Sequence, residues 1–185
     1  MPTEEQWKDA YAKVGELVLL YTALDHQLNH VIIEMIRLAQ SPIRMREALV
    51  ATLDPRQKIE MLKSRAAHIR QQGWKKAVKT HADRLERVAK IRNAVCHTPM
   101  VPNKEGDGFE FAPASAAKLL KNMMFASKDD YSIERLTLDH VQEAKTLAMK
   151  ALGGGEAILT KFAKARAALE KKAHAALEKK TAAEA

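Results

Sequence analysis

Residues 74–97 read WKKAVKTHADRLERVAKIRNAVCH, and their hydrophobic pattern is the clearest indication of fold class in the chain. An α-helix turns about 100° per residue, so residues spaced three, four or seven apart share one face. The apolar residues of the stretch follow that spacing: Val78, Leu85, Val88, Ile91, Val95 and, at the edge, Cys96. The stretch therefore predicts one long amphipathic helix, which ends before a loop that contains Pro99 and Pro102.

The residues before this helix repeat the helical pattern. Apolar residues recur at helical spacing from Trp7 to about Leu38, behind a potential cap at Thr3. Two further stretches place a capping residue directly before a proline, which is a typical helix start. They predict helices that begin at Ser41-Pro42 and run to about Thr52, and that begin at Asp54-Pro55 and end near Gly73.

The residues after His97 break the helical pattern and then resume it. The turn cluster NKEGDG (103–108) precedes Phe109-Glu110-Phe111, whose alternation predicts a short β-hairpin. We expect a helix over 114–124 and another from Leu138, capped by Thr137, to about Leu152. Gly153-Gly154-Gly155 is expected to interrupt or end that helix. The Ala/Lys/Glu-rich tail predicts a solvated helix, with a dimer-forming or RNA-contacting extension as the alternative.

These elements predict an all-α fold. We expect an up-and-down bundle of four to six helices, with a short β-hairpin after the motif helix and a C-terminal helical extension. The predicted division is a helical domain over 1–152 and the extension over 153–185. Only 5% of the 185 residues are aromatic while 46% are hydrophobic, which favours helices packed through aliphatic side chains.

The charge of the chain favours a polyanionic partner such as RNA, DNA or acidic lipid headgroups. The net charge is +8 and the pI is near 9.6. Cys96 is the single cysteine, which excludes an intrachain disulfide framework and a thiolate zinc site. The first residues are acidic and polar, and no apolar run is long enough to span a bilayer. We therefore expect a soluble cytoplasmic protein that does not associate with membranes.

Three residues at the end of the motif helix combine the groups that phosphate chemistry needs. Arg92 is a permanent cation, Asn93 is a neutral amide, and His97 carries an imidazole, a group that can accept and donate a proton. Together they are suited to hold a phosphate and to move a proton beside it, and no metal or other cofactor is required.

The block AKIRNAVCH (89–97) resembles the signature of the HEPN superfamily, all-helical domains with an Arg-x4–6-His motif that often has Asn after the Arg. Many members are metal-independent ribonucleases, and others are inactive RNA-binding or dimerisation modules. The resemblance implies that His97 is the acid/base and that Arg92 stabilises the phosphate. It implies that Asn93 orients His97 or a phosphate by hydrogen bonding. It implies products with 2′,3′-cyclic phosphate ends. Some toxin members carry a tyrosine two residues after the histidine; here Pro99 stands there, so regulation through that tyrosine is not implied.

The resemblance also implies a homodimer whose two motifs face each other across a cleft. Arg92 and His97 lie about 140° apart on an ideal helix, so they do not converge there. Either the last turn unwinds before Pro99, or two copies assemble a composite site. By analogy with the family, a role in stress responses, toxin–antitoxin systems or phage defence is expected, and the sequence does not identify an antitoxin or other regulatory protein.

Arg92 lies within the apolar arc of its helix, where an unpaired buried charge is costly. Asp25 is similarly placed on the first helix, flanked by Tyr21, Leu28 and Ile32. We therefore predict that Asp25 supports the site by pairing with Arg92. The alternative is that both side chains lie at the edge of their apolar stripes and extend to water.

Basic residues upstream of the motif are candidate RNA contacts: Lys75, Lys76, Lys79, Arg84 and Arg87.

A second group has a spacing that can bind a metal: His26, His30 and Glu34. These residues lie opposite the apolar arc, and no second ligand cluster is evident. We therefore predict a solvated or interfacial face and no metal site. His81 is predicted to be a core histidine.

The sequence favours a metal-independent endoribonuclease of HEPN type. The alternative is a non-catalytic HEPN-like helical dimer that binds RNA or a protein partner through the same groove. A DNA-associated basic bundle is a third interpretation, which no helix-turn-helix spacing supports.

Overall fold

The computed structural model describes residues 1–36, 48–111 and 135–184. Its helices are α1 (Glu4–Ile36), α2 (Pro55–Ala67), α3 (Gln72–Cys96) and α4 (Leu138–Glu184), and residues 48–51 are also helical. Its strands are β1 (Met100–Pro102), β2 (Phe109–Phe111) and β3 (Leu136–Thr137). The predicted all-α class with a hairpin after the motif helix is confirmed. The start of the helix predicted at Ser41 and the whole helix predicted over 114–124 lie outside the described residues.

The helix starts predicted at Thr3 and Asp54 are confirmed by their capping hydrogen bonds. The N–H of Gln57 donates to Asp54 Oδ1 at 2.9 Å, and the N–H of Asp54 donates to Gln57 Oε1 at 3.0 Å. Thr3 and Gln6 make the same reciprocal pair at the start of α1. Each pair satisfies backbone donors that have no partner within the helix, which is why the helices begin at these residues.

The strands form an antiparallel sheet in the order β1-β2-β3. The turn between β1 and β2 is organised by Asn103, whose Oδ1 accepts the N–H groups of Asp107 and Gly108 at 3.1 Å each. Gly106 adopts φ 76°, the left-handed region that glycine tolerates. Strand β3 was not predicted, because two residues are too short to show an alternating pattern.

The expected interruption at Gly153-Gly154-Gly155 is wrong, since α4 continues through all three glycines. A glycine inside a helix costs about 1 kcal/mol relative to alanine, which weakens a helix without forcing it to end. Gly155 is buried, and a Cβ there would overlap the side chain of Gln27. Close packing against α1 therefore accounts for this glycine.

The chain forms two compact units by contact. The first comprises 1–25 and 83–151, and its core includes Leu17, Leu24, Leu85, Val88, Phe111 and Val141. The second comprises 26–82 and 152–185, and its core includes Leu28, Ile32, Ile59, Leu62, Val78 and Ile158. His81 belongs to the second unit and is 1% exposed, as predicted for a core histidine. The division of the sequence into domains 1–152 and 153–185 stays a prediction.

Candidate nucleic-acid site at the end of helix α3

Arg92 is half-buried in the first unit and is held on two sides. Its Nη1 donates a hydrogen bond to Asn93 Oδ1 at 2.9 Å, and its Cζ lies 5.1 Å from the centroid of the Tyr21 ring. Tyr21 is 7% exposed, so the ring offers the guanidinium a fixed, largely desolvated face. A cation over an aromatic face is stabilised by the ring quadrupole by about 0.5–2 kcal/mol. Tyr21 and Asn93 thus orient Arg92.

The Nε of Arg92 is buried and has no hydrogen-bond acceptor among the residues that the structure describes. A buried N–H without an acceptor lowers stability by about 1–3 kcal/mol, and no described residue supplies an acceptor for this one. The predicted pairing of Arg92 with Asp25 stays a prediction. Tyr21 is the residue that sequence reasoning missed. The sequence feature that could have identified it is its position one helical turn before Asp25, on the same face of α1.

His97 lies exposed, one residue beyond the end of α3. Its backbone N–H is shared between the carbonyl oxygens of Asn93 at 3.2 Å and Ala94 at 3.3 Å, an arrangement common at helix ends. The Oγ1 of Thr98 donates to the carbonyl of Ala94 at 2.7 Å and closes the turn. The helix therefore stays wound through Cys96, and on an ideal helix Arg92 and His97 lie about 140° apart around the axis.

The predicted RNA contacts on α3 differ in their surroundings. Lys76, Lys79 and Arg87 are exposed, and Lys75 is half-buried. Arg84 is also half-buried and donates from Nη1 to the backbone carbonyl of Lys150 at 3.2 Å, which ties α3 to α4 within the first unit. Arg84 thus has a structural contact, whereas the three exposed residues present their charges to solvent.

The histidines considered as metal ligands form a pair on α1. The rings of His26 and His30 lie edge to face with centroids 4.8 Å apart, and their Nε2 atoms are 3.2 Å apart. The carboxylate of Glu34 is paired with Arg166. No group of three or more potential ligands occurs within residues 1–36, 48–111 and 135–184.

Cys96, at the edge of the predicted apolar arc, is exposed and makes no disulfide. Among the described helices, none combines the length and apolar character needed to cross a bilayer.

No family model, curated protein or solved structure matches the chain.

Proposed function

We propose that this chain is a metal-independent endoribonuclease of HEPN type. The observation that carries the proposal is the guanidinium of Arg92, which Tyr21 and Asn93 hold in place on a helix that ends one residue before the exposed His97. A cation fixed before the substrate binds stabilises a phosphate without reorganisation during the reaction. The net charge of +8 supports RNA as the polyanion.

The reaction follows from these groups. His97 accepts the proton of an RNA 2′-hydroxyl, and the 2′-oxygen attacks the adjacent phosphorus. Arg92 donates hydrogen bonds to the nonbridging oxygens as their charge increases. The bond from phosphorus to the 5′-oxygen breaks, and protonated His97 returns a proton to that oxygen. The products are a 2′,3′-cyclic phosphate and a 5′-hydroxyl, and DNA is inert because it lacks the nucleophile.

The separation of about 140° between Arg92 and His97 leads to a composite site in this proposal. One copy supplies Arg92 and a second copy supplies His97, so a homodimer carries two sites. Lys76, Lys79 and Arg87 contact the RNA backbone. The same proposal includes what the resemblance implies about biology: a cytoplasmic location, a role in stress or phage defence, and restraint by an antitoxin.

The test is a cleavage assay on single-stranded and structured RNA in excess EDTA. It compares wild type with Arg92→Ala and His97→Ala, each checked for fold by circular dichroism, with Lys90→Ala as a control for an exposed cation of the same helix. We expect cleavage by wild type and by Lys90→Ala that leaves cyclic phosphate ends. We expect losses of about 10²–10⁴-fold in the two motif variants, because each removes a group that acts in the transition state.

A mixing experiment tests the composite site. Equal amounts of Arg92→Ala and His97→Ala chains, unfolded together and refolded, form mixed dimers in half of all cases, each with one intact site. The mixture is then expected to recover about a quarter of wild-type activity. Activity in both single variants refutes the catalytic roles. RNA binding without cleavage under any condition supports instead the non-catalytic dimer that binds RNA or a protein through the same groove.

A further inference from the structure

Two histidines on α1 hold their ring nitrogens at the distance that a metal chelate requires. His26 and His30 are one helical turn apart, and their Nε2 atoms lie 3.2 Å from each other. A bond from Zn²⁺ to imidazole is about 2.0–2.1 Å long, so two such bonds span about 2.9 Å at a right angle and about 3.3–3.4 Å at the tetrahedral angle. The observed distance lies between these two values. The spacing of the two nitrogens therefore fits a single bound ion.

The helix and the contact between the two rings hold this pair together. Helix α1 is continuous from Glu4 to Ile36, so its backbone fixes the separation of one turn. The rings of His26 and His30 lie edge to face, with centroids 4.8 Å apart and 86° between their planes. His26 is exposed and His30 is half-buried, so an ion reaches the pair from solvent. Side chains that are already together lose less conformational entropy when they bind a ligand.

The hydrogen atoms of the two rings also allow an ion to bind. Without an ion, one Nε2–H donates to the other Nε2, so the pair shares one hydrogen. When an ion binds, each ring carries its hydrogen on Nδ1, and both Nε2 lone pairs are free. The second side-chain torsion of histidine has a broad range, so rotation about it turns both lone pairs toward one point. Imidazole nitrogen is a ligand that Cu²⁺, Ni²⁺ and Zn²⁺ share, with Cu²⁺ bound most tightly.

The carboxylate nearest to the pair along α1 is engaged elsewhere. Glu34 lies one turn beyond His30 on the same side of an ideal helix, and it pairs with Arg166. This ion pair offsets the charge of Arg166 and so reduces its repulsion of a bound cation. It also leaves two protein ligands for the ion, and water completes the coordination. Such a site binds its ion more weakly than a structural zinc site, which has four protein ligands.

We propose that His26 and His30 bind one divalent transition-metal ion as a chelate of two nitrogens, with Cu²⁺ bound more tightly than Ni²⁺ or Zn²⁺. The sequence spacing predicts no metal site, because a second ligand cluster is not evident; the observed distance shows two nitrogens placed for a chelate without one. The ion connects successive turns of α1 and stabilises the folded chain, since it binds the folded state preferentially. The proposal does not rest on ribonuclease activity, which is assayed in EDTA.

Isothermal titration calorimetry of the untagged full chain with NiCl₂, ZnCl₂ and CuCl₂ tests the chelate. All proteins carry Cys96→Ser, because the exposed thiol is itself a metal ligand. We expect one ion per chain, and an affinity that falls by at least about 10²-fold in His26→Ala and in His30→Ala, because each variant keeps a single nitrogen. The double variant is expected to bind no more weakly than either single variant. His68→Ala is the matched control, because His68 is an exposed histidine of the same compact unit.

NMR and thermal denaturation identify the ligands and the effect on the fold. Zn²⁺ is expected to shift the ¹⁵N signals of both His26 Nε2 and His30 Nε2 at the same ion concentration. Ni²⁺ at about a 100-fold excess over its dissociation constant is expected to raise the melting temperature by about 5 °C, but not in His26→Ala. If His30→Ala alters the circular dichroism spectrum, His30→Gln replaces it. Binding that both alanine variants retain, a shift at only one histidine, or no binding at about 1 mM ion each overturns the proposal and leaves a hydrogen-bonded pair only.

Discussion

Two glycines of α4 that lie two residues apart are expected to respond in opposite directions to the same substitution. Gly153 is exposed, and a Cβ there would meet nothing within 4 Å. Gly155 is buried, and a Cβ there would lie well inside van der Waals contact with Gln27 Oε1 and 2.5 Å from Gln27 Cδ. The pair therefore separates helix propensity from packing within one helix.

The magnitudes follow from the contacts of Gln27. Its Nε2 donates to the carbonyl of Leu152 at 3.0 Å. Alanine at either glycine position improves the free energy of unfolding by about 0.5–1 kcal/mol through helix propensity. At residue 155 the new methyl group must also displace the Gln27 amide, which loses a hydrogen bond of about 1 kcal/mol and adds about 1–3 kcal/mol of packing strain. We expect Gly153→Ala to stabilise the protein and Gly155→Ala to destabilise it by about 1–3 kcal/mol.

The assay is urea denaturation followed by circular dichroism, together with melting temperatures. A change of 1 kcal/mol shifts the melting temperature of a protein of this size by about 2–4 °C, so the two variants should melt at least about 3 °C apart. The second measurement is a double-mutant cycle with Gln27→Ala, whose short side chain leaves room for the methyl group. In that background, Gly155→Ala is expected to become as favourable as Gly153→Ala. Equal stabilisation by both variants in the wild-type background would contradict the role of Gln27, because it would mean that this side chain moves aside without cost.

Two further substitutions test the cap of α2 and the support of Arg92. Asp54→Ala removes the acceptor of the Gln57 N–H and is expected to lower the free energy of unfolding by about 1 kcal/mol, whereas Asp54→Ser should retain most of it; urea denaturation of both variants decides this. Tyr21→Leu removes the ring beneath Arg92, whereas Tyr21→Phe keeps it. We expect the Nε–H NMR signal of Arg92 to shift and broaden only in the leucine variant, and equal spectra for both variants would contradict the cation–π contact.

Local signals predicted the helices and the hairpin well. Thr3 and Asp54 identify helix starts because a side-chain oxygen three residues from a free backbone N–H is a contact within one short segment. The hairpin follows similarly from Asn103 and the glycines of its turn. The glycine triplet misled because its effect depends on a contact distant in sequence. What packs on Gly155 is Gln27, 128 residues earlier, and no local pattern reveals that this glycine provides space for a crossing helix rather than an end.

At the candidate site, too, a contact between residues distant in sequence was not predicted. The position of Arg92 on the apolar arc required something on the first helix to accommodate its charge, and that requirement was predicted. Opposite charge suggested Asp25, and that pairing stays a prediction; the structure shows that the guanidinium also lies over Tyr21, one turn earlier on the same face. An aromatic face stabilises a half-buried cation through the ring quadrupole and does not use the N–H donors of the guanidinium. In the proposed function, contact with the Tyr21 ring keeps more guanidinium donors for a phosphate than a bidentate carboxylate would, because a ring contacts the face of the cation and not its N–H groups.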